Sequence, residues 1–183
     1  MEIENFTVNK KYSDIYSEIS HELYNNIKEE YPEQIETAAK DDCAGLEVFP
    51  GSMNCNEVMY KALSITIPKT WTIIDIGCSY AAQAYHFKNH KKYIGIDITP
   101  VGFCTDFKNM EEGHFRFTFE NTEHWVKNAT DLTQKDIKDF DLDKTFAILS
   151  YNPLWLAGKN TDKLKETQRI ISLFKNVYSF YPA

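Results

Sequence analysis

Three short stretches of the chain carry residues whose types and spacing suit chemistry. The first is Ile73-Ile-Asp75-Ile-Gly77-Cys-Ser79-Tyr-Ala-Ala82, an apolar run that breaks at Gly77 and resumes with helix-compatible residues. The second is Asp97, twenty residues beyond Gly77, in Lys92-Tyr-Ile-Gly-Ile-Asp97-Ile98. The third is Ser150-Tyr-Asn152-Pro153-Leu-Trp155. A strand-to-helix turn in a parallel sheet sits at the carboxyl edge, where ligands bind. A carboxylate ending the next strand can accept hydrogen bonds from both hydroxyls of a ribose, so the spacing implies a cofactor that contains adenosine.

The loop selects among such cofactors. A dinucleotide site calls for G-x-G-x-x-G, because the second glycine lets the backbone close on the pyrophosphate. Here Ser79 holds that position and Ala82 the third. Asp75 adds a negative charge two residues before Gly77, which repels phosphate and attracts an ammonium or sulfonium group. The loop favours a cationic adenosine ligand. Both acids also have an architectural reading: Asp75 accepting backbone N–H bonds around a tight turn, and Asp97 capping the turn after its strand.

On these residues the sequence resembles the class I S-adenosylmethionine-dependent methyltransferases, whose first motif is an acid, any residue, then a glycine-rich turn. Asp75 and Gly77 match that motif, while Ser79 and Ala81 stand where later glycines vary; Asp97 matches the ribose-binding acid by position. The resemblance covers about residues 70–155. It implies a Rossmann-like doubly wound sheet, S-adenosylmethionine as cofactor, Asp75, Gly77 and Ser79 on the methionine moiety, and Asp97 on the ribose. Glu120 and Asn121 fall where the family contacts adenine. Asn152-Pro153-Leu154-Trp155 is similar to the Asn-Pro-Pro-aromatic tetrapeptide of amino-methyltransferases, which implies that Asn152, Pro153 and Trp155 hold the methyl acceptor. Leu154 in place of the second proline departs from that pattern, and Asn-Pro also opens ordinary turns.

The elements that must position these residues are readable from periodicity. Apolar residues at Tyr12, Ile15, Tyr16, Ile19, Leu23, Ile27 and Tyr31 recur at three and four, predicting one long helix that Pro32 stops. A polar linker is expected from Gln34 to Gly51, then a helix over Asn56–Thr66. Beyond Pro68, strands are expected at Trp71–Ile76, Lys92–Ile98, Phe115–Phe119, Thr145–Tyr151 and Asn176–Tyr181. Helices are expected at Tyr80–Asn89 and near Thr133–Phe140 and Asp162–Lys175. Strand alternating with helix means a mainly parallel sheet with right-handed crossovers. The division expected is a helical acidic extension over residues 1–66 packed on a Rossmann-like domain over residues 67–183.

Composition narrows the function further. At 183 residues and 43% apolar content the chain has ample core material for one decorated domain. Residues 1–66 carry 13 acids against 5 bases, whereas residues 67–183 carry 14 against 15, so the net charge of −7 belongs to the first third. Composition alone supplies no basic face to displace counterions, which disfavours nonspecific nucleic-acid binding but not a small charged site. No apolar run approaches the roughly 18 residues of a membrane span, and the acidic start Met-Glu-Ile-Glu is unlike a signal peptide. A cytoplasmic protein with reduced Cys43, Cys55, Cys78 and Cys104 is expected. His86 and His90 have the i,i+4 spacing of metal ligands, but Phe87 stands where a zinc-protease glutamate belongs. They read as solvated helix residues, and no metal is expected. His124 and Trp125 line an adenine pocket or join the core.

The enzymatic reading is methyl transfer to an unidentified acceptor. Its rivals are a methyltransferase-like binding module without catalysis and a nicotinamide-dependent oxidoreductase. The family sheet has seven strands, whereas this sequence ends near the fifth. The exposed edge then invites a homodimer through the last strand or cover from the amino-terminal helices.

Overall fold

Short runs of Ile, Thr, Tyr and Phe between polar turns form the strands at the centre of the molecule, because β-branched and aromatic side chains fit a pleated surface covered on both faces. The computed structural model describes residues 21–40, 54–78, 80–97, 116–149 and 163–179. Five strands, β1 (Thr72–Ile76), β2 (Lys92–Asp97), β3 (Thr122–Val126), β4 (Thr145–Leu149) and β5 (Asn176–Ser179), form one sheet in the order β3-β2-β1-β4-β5. Every pairing is parallel. All five residues of β1 are buried. The fold is therefore α/β and Rossmann-like, with a helical amino-terminal part.

Successive β1 residues feed opposite layers, as the two-residue period of a strand requires. Ile73 joins Tyr93, Phe87, Phe117, Phe119 and the amino-terminal residues Leu23, Ile27, Ile35 and Tyr60. Ile74 and Ile76 join Ile94, Ile96, Leu132, Ile137 and Ile170 on the other face. The chain steps outward from β1 to β3, then crosses back to β4. That reversal puts the topological switch point between β1 and β4, and the crevice it opens lies at the carboxyl edge.

The amino-terminal helices are α1 (helical over residues 21–30), α2 (Pro32–Lys40) and α3 (Asn54–Thr66). Pro32 does end α1, but α2 begins at once where a polar linker was expected. Proline is preorganised for the first helical position, Glu33 favours the positive end of the helix dipole, and Ile35 and Ala38 bury one face. The junction of α1 and α2 contacts the flank before β3: Gln34 Nε2 donates to the Thr118 carbonyl at 2.5 Å, and Tyr31 OH donates to Glu120 at 2.9 Å. That is the flank remote from β5.

Other differences from expectation share one cause, tertiary contacts outweighing local pattern. Phe117 and Phe119 do alternate into the core, but residues 116–119 are not one of the five strands of the sheet. The Phe117 N–H donates to the Tyr80 carbonyl and the Thr118 N–H to Gln34 Oε1. The third strand is Thr122–Val126 instead. The helix expected over Tyr80–Asn89 is a 3-10 helix, Ala82–Phe87, and it follows Ala81 in the left-handed region at φ 59°. The Thr133–Phe140 segment is a chain of turns, with Asp136 accepting from Thr133 N–H and Oγ1 at 2.8 Å each. The helix α4 (Lys163–Ile171) falls within its expected range. Phe115, residues 1–20 and the end of the last strand lie outside the described residues.

Gly95 in β2 marks a close approach. A Cβ there would lie 2.8 Å from Cys78 Sγ and 3.0 Å from His124 Nδ1. Gly95→Ala is expected to cost about 1–3 kcal/mol from overpacking, read as a lower urea midpoint at unchanged m-value.

Candidate functional site

The carboxyl edge is assembled by backbone bonds that start at Gly77. With φ at 83°, Gly77 turns the chain over the end of β2, and its N–H donates to the Ile96 carbonyl at 2.7 Å. Asp97 follows immediately and is half-buried. Its own carbonyl accepts from Lys127 N–H at 3.1 Å and from Arg116 Nη2 at 3.2 Å. The ends of β1, β2 and β3 thus meet at one edge, so the structure brings Gly77 and Asp97 together as the spacing implied.

Asp75 points elsewhere. It is fully buried, and its carboxylate accepts from Tyr60 OH at 3.1 Å, Tyr93 OH at 2.5 Å and Gln83 Nε2 at 2.9 Å. Gln83 Nε2 also donates to the Cys78 carbonyl at 2.8 Å. One side chain therefore joins α3, β2 and the 3-10 helix beneath the Gly77 turn. The cluster shapes its neighbours. Burial, then the nearby Asp75 charge, pushes the Tyr93 hydroxyl and the Cys78 thiol well above their ordinary pKa values. Cys78 is a protonated, buried thiol and a poor nucleophile. The side chain of Cys55 and all of Cys43 and Cys104 lie outside the described residues.

Glu120 and Asn121 stand at the opposite edge. Because the third strand begins at Thr122, they precede it instead of following it, and the Asn121 carbonyl accepts from Tyr93 N–H near the start of β2. Glu120 accepts from Tyr31 OH, while Asn121 Nδ2 donates to the Phe87 and His90 carbonyls at 2.8 and 2.9 Å. They are not brought together with Gly77 and Asp97. The residues that do follow β3 beside Asp97 are Lys127 and Asn128, whose Oδ1 caps a 3-10 turn by accepting from Thr130 N–H at 3.0 Å. The Asn-x-Thr spelling of that cap was the signal available in the sequence. Ser79, Asn152, Pro153 and Trp155 lie outside the described residues.

The histidines correct the expectation of solvated side chains. His86 Nε2 lies 2.8 Å from Glu57 Oε2, with both groups largely covered. His90 is buried and its Nε2 donates to the Ile67 carbonyl at 3.2 Å. His124 Nε2 donates to the Phe117 carbonyl at 3.0 Å. Trp125 packs on the second core layer, and its indole N–H donates to Glu123 at 2.6 Å. No cluster of metal ligands occurs among the described residues.

Burial lowers the pKa of His90, helped by the Lys69 charge, and burial likewise lowers that of His124. The unfolded chain then takes up protons that the folded one refuses. The two imidazoles contribute stability that is complete above about pH 6.5 and lost as pH falls through their lowered folded values. The urea midpoint is expected to drop between pH 7.5 and pH 5, with a smaller drop in the double variant His90→Gln, His124→Gln.

No helix among the described residues is long and apolar enough to cross a membrane. Comparison of the sequence with protein-family models and with curated proteins gives no match.

Proposed function

We propose that this chain is an S-adenosylmethionine-dependent methyltransferase domain acting in the cytoplasm on an unidentified acceptor. The observation that supports it is the meeting of the Gly77 turn with Asp97 at the carboxyl edge of the central strands. S-Adenosylmethionine supplies an electrophilic methyl group on a sulfonium that is already a good leaving group. Asp97 accepts hydrogen bonds from the ribose hydroxyls, and Gly77 lets the backbone approach the nucleoside closely. Asp75 supports that turn from beneath through Tyr60, Tyr93 and Gln83. With the leaving group preactivated, in-line positioning of the acceptor lone pair supplies most of the catalysis. Asn152, Pro153 and Trp155 are the residues proposed to provide it.

One observation favours a second reading. The Asp75 carboxylate is fully buried and already serves three donors, so it offers no exposed charge to a methionine ammonium. A domain that keeps the scaffold but has lost catalysis fits that commitment. Calorimetric titration separates the readings. The enzyme reading expects submillimolar binding of S-adenosylmethionine and S-adenosylhomocysteine. No heat with either compound supports the non-catalytic module, and tighter binding of NAD supports the oxidoreductase.

A further inference from the structure

The helix α3 is turned inside out. A helix on the surface of a globular fold normally buries an apolar stripe and shows polar side chains to water. Here the buried positions are Glu57, Tyr60, Ser64 and, just past the helix end, Ile67. Their polar groups are engaged inside: Glu57 with His86, Tyr60 with Asp75, and Ser64 Oγ donating to the Lys61 carbonyl at 2.8 Å. The opposite face carries Val58, Met59, Ala62, Ile65 and Thr66. Ala62, Ile65 and Thr66 are exposed, while Val58 and Met59 are half-buried. Ile65 is 73% exposed. Even the Thr66 hydroxyl turns back on its own helix, donating to the Ala62 carbonyl at 3.1 Å. A contiguous, uncharged apolar stripe turned to solvent marks an interaction surface.

Two properties of the stripe select its occupant. Val58 stands four residues before Ala62 and Ile65 three after it, so the stripe is nearly symmetric about its smallest side chain. A two-fold axis at Ala62 then sets Ile65 of one copy against Val58 of the other, each presenting the same surface. Ala62 at the axis lets the two helices close to about 8 Å, the near end of the usual range. The charges agree with this pairing. At the rim of the stripe Lys61 and Glu22 lie 2.6 Å apart in an ion pair, so neither copy brings an unpaired charge to the contact. We propose that this face of α3 is the docking surface for a second copy of this chain, packed antiparallel across Ala62. The surface is not the last strand, whose edge was expected to associate, and its use does not depend on the nucleoside proposed above.

Sedimentation equilibrium on the full chain tests the contact. For one helix face, the wild type is expected to dimerise with a Kd on the order of 10–100 µM. Association should tighten as salt is raised, because the stripe is apolar and two chains of net charge −7 repel each other. Ile65→Glu buries a charge without a partner only in the dimer. It is expected to weaken association at least about tenfold, with the urea midpoint nearly unchanged at low protein concentration. Ala62→Cys under mild oxidation is expected to give a covalent dimer joined through the two introduced thiols, mapped by peptide mass. The axis brings those Cα atoms within the roughly 4.4–6.8 Å that a disulfide spans. A wild type that stays monomeric to about 1 mM overturns the inference. So does a dimer that survives Ile65→Glu, which belongs to another surface, or an Ala62→Cys variant that forms no such link.

Discussion

Asp75→Ala is expected to destabilise the protein by about 3–5 kcal/mol, measured as the free energy of unfolding in urea. The variant removes the shared acceptor of two tyrosine hydroxyls and one amide hydrogen inside a site with no exposure. An unsatisfied buried polar group costs about 1–3 kcal/mol, and partial relaxation keeps the total below the simple sum. Asp75→Asn retains one acceptor oxygen but turns an N–H toward a donor, so about 1–2 kcal/mol is expected. The pair of variants separates two roles. A carboxylate that served only a ligand would, when removed, weaken binding and leave the unfolding free energy within about 0.5 kcal/mol of wild type.

Phe87→Ala is expected to cost about 3–5 kcal/mol by the same measurement. Phe87 is fully buried at the end of the 3-10 helix. Its ring stacks on Tyr93 at 5.8 Å and meets Tyr60 edge-on at 6.3 Å and His90 at 5.1 Å. Tyr60 and Tyr93 are the two hydroxyl donors to Asp75. The cavity therefore loosens the groups that hold the acid as well as removing dispersion contacts. Coupling between Phe87→Leu and Asp75→Asn is expected in a double-mutant cycle, since both act on the same two tyrosines.

The parts of the fold that could be read from the sequence were those where burial on both faces leaves a continuous apolar run. Thr72–Ile76, Lys92–Asp97 and Thr145–Leu149 are such runs, and Asp97 stood at the correct strand end. β3 was obscured for a physical reason. Thr122–Val126 carries Glu123, His124 and Trp125, which bond to Lys92, the Phe117 carbonyl and Glu123 in turn. Phe117 and Phe119 alternate as a strand would, yet they cover the first core layer from an irregular segment bonded to Tyr80 and Gln34. That one misplacement carried Glu120 and Asn121 from the carboxyl edge to the amino edge.

The site divides in the same way. Gly77 and Asp97 are local features, a turn glycine and a strand-end acid, so their places in the fold could be read from spacing. What Asp75 does depends on Tyr60, Gln83 and Tyr93, which lie 15, 8 and 18 residues away and carry no periodic signal. The pairing of His86 with Glu57 and of His90 with the Ile67 carbonyl is equally non-local. Spacing along a helix reports which face a residue shares, not which partner waits there.

The central claim is that Asp97 faces a nucleoside whose ribose it grips, while Asp75 belongs to the interior. Titration of S-adenosylhomocysteine into the wild type and Asp97→Ala tests it most directly. Loss of two charge-assisted hydrogen bonds is expected to weaken binding by more than ~1 kcal/mol, at least about fivefold, with the melting temperature nearly unchanged. Equal affinity in the two proteins would contradict the account.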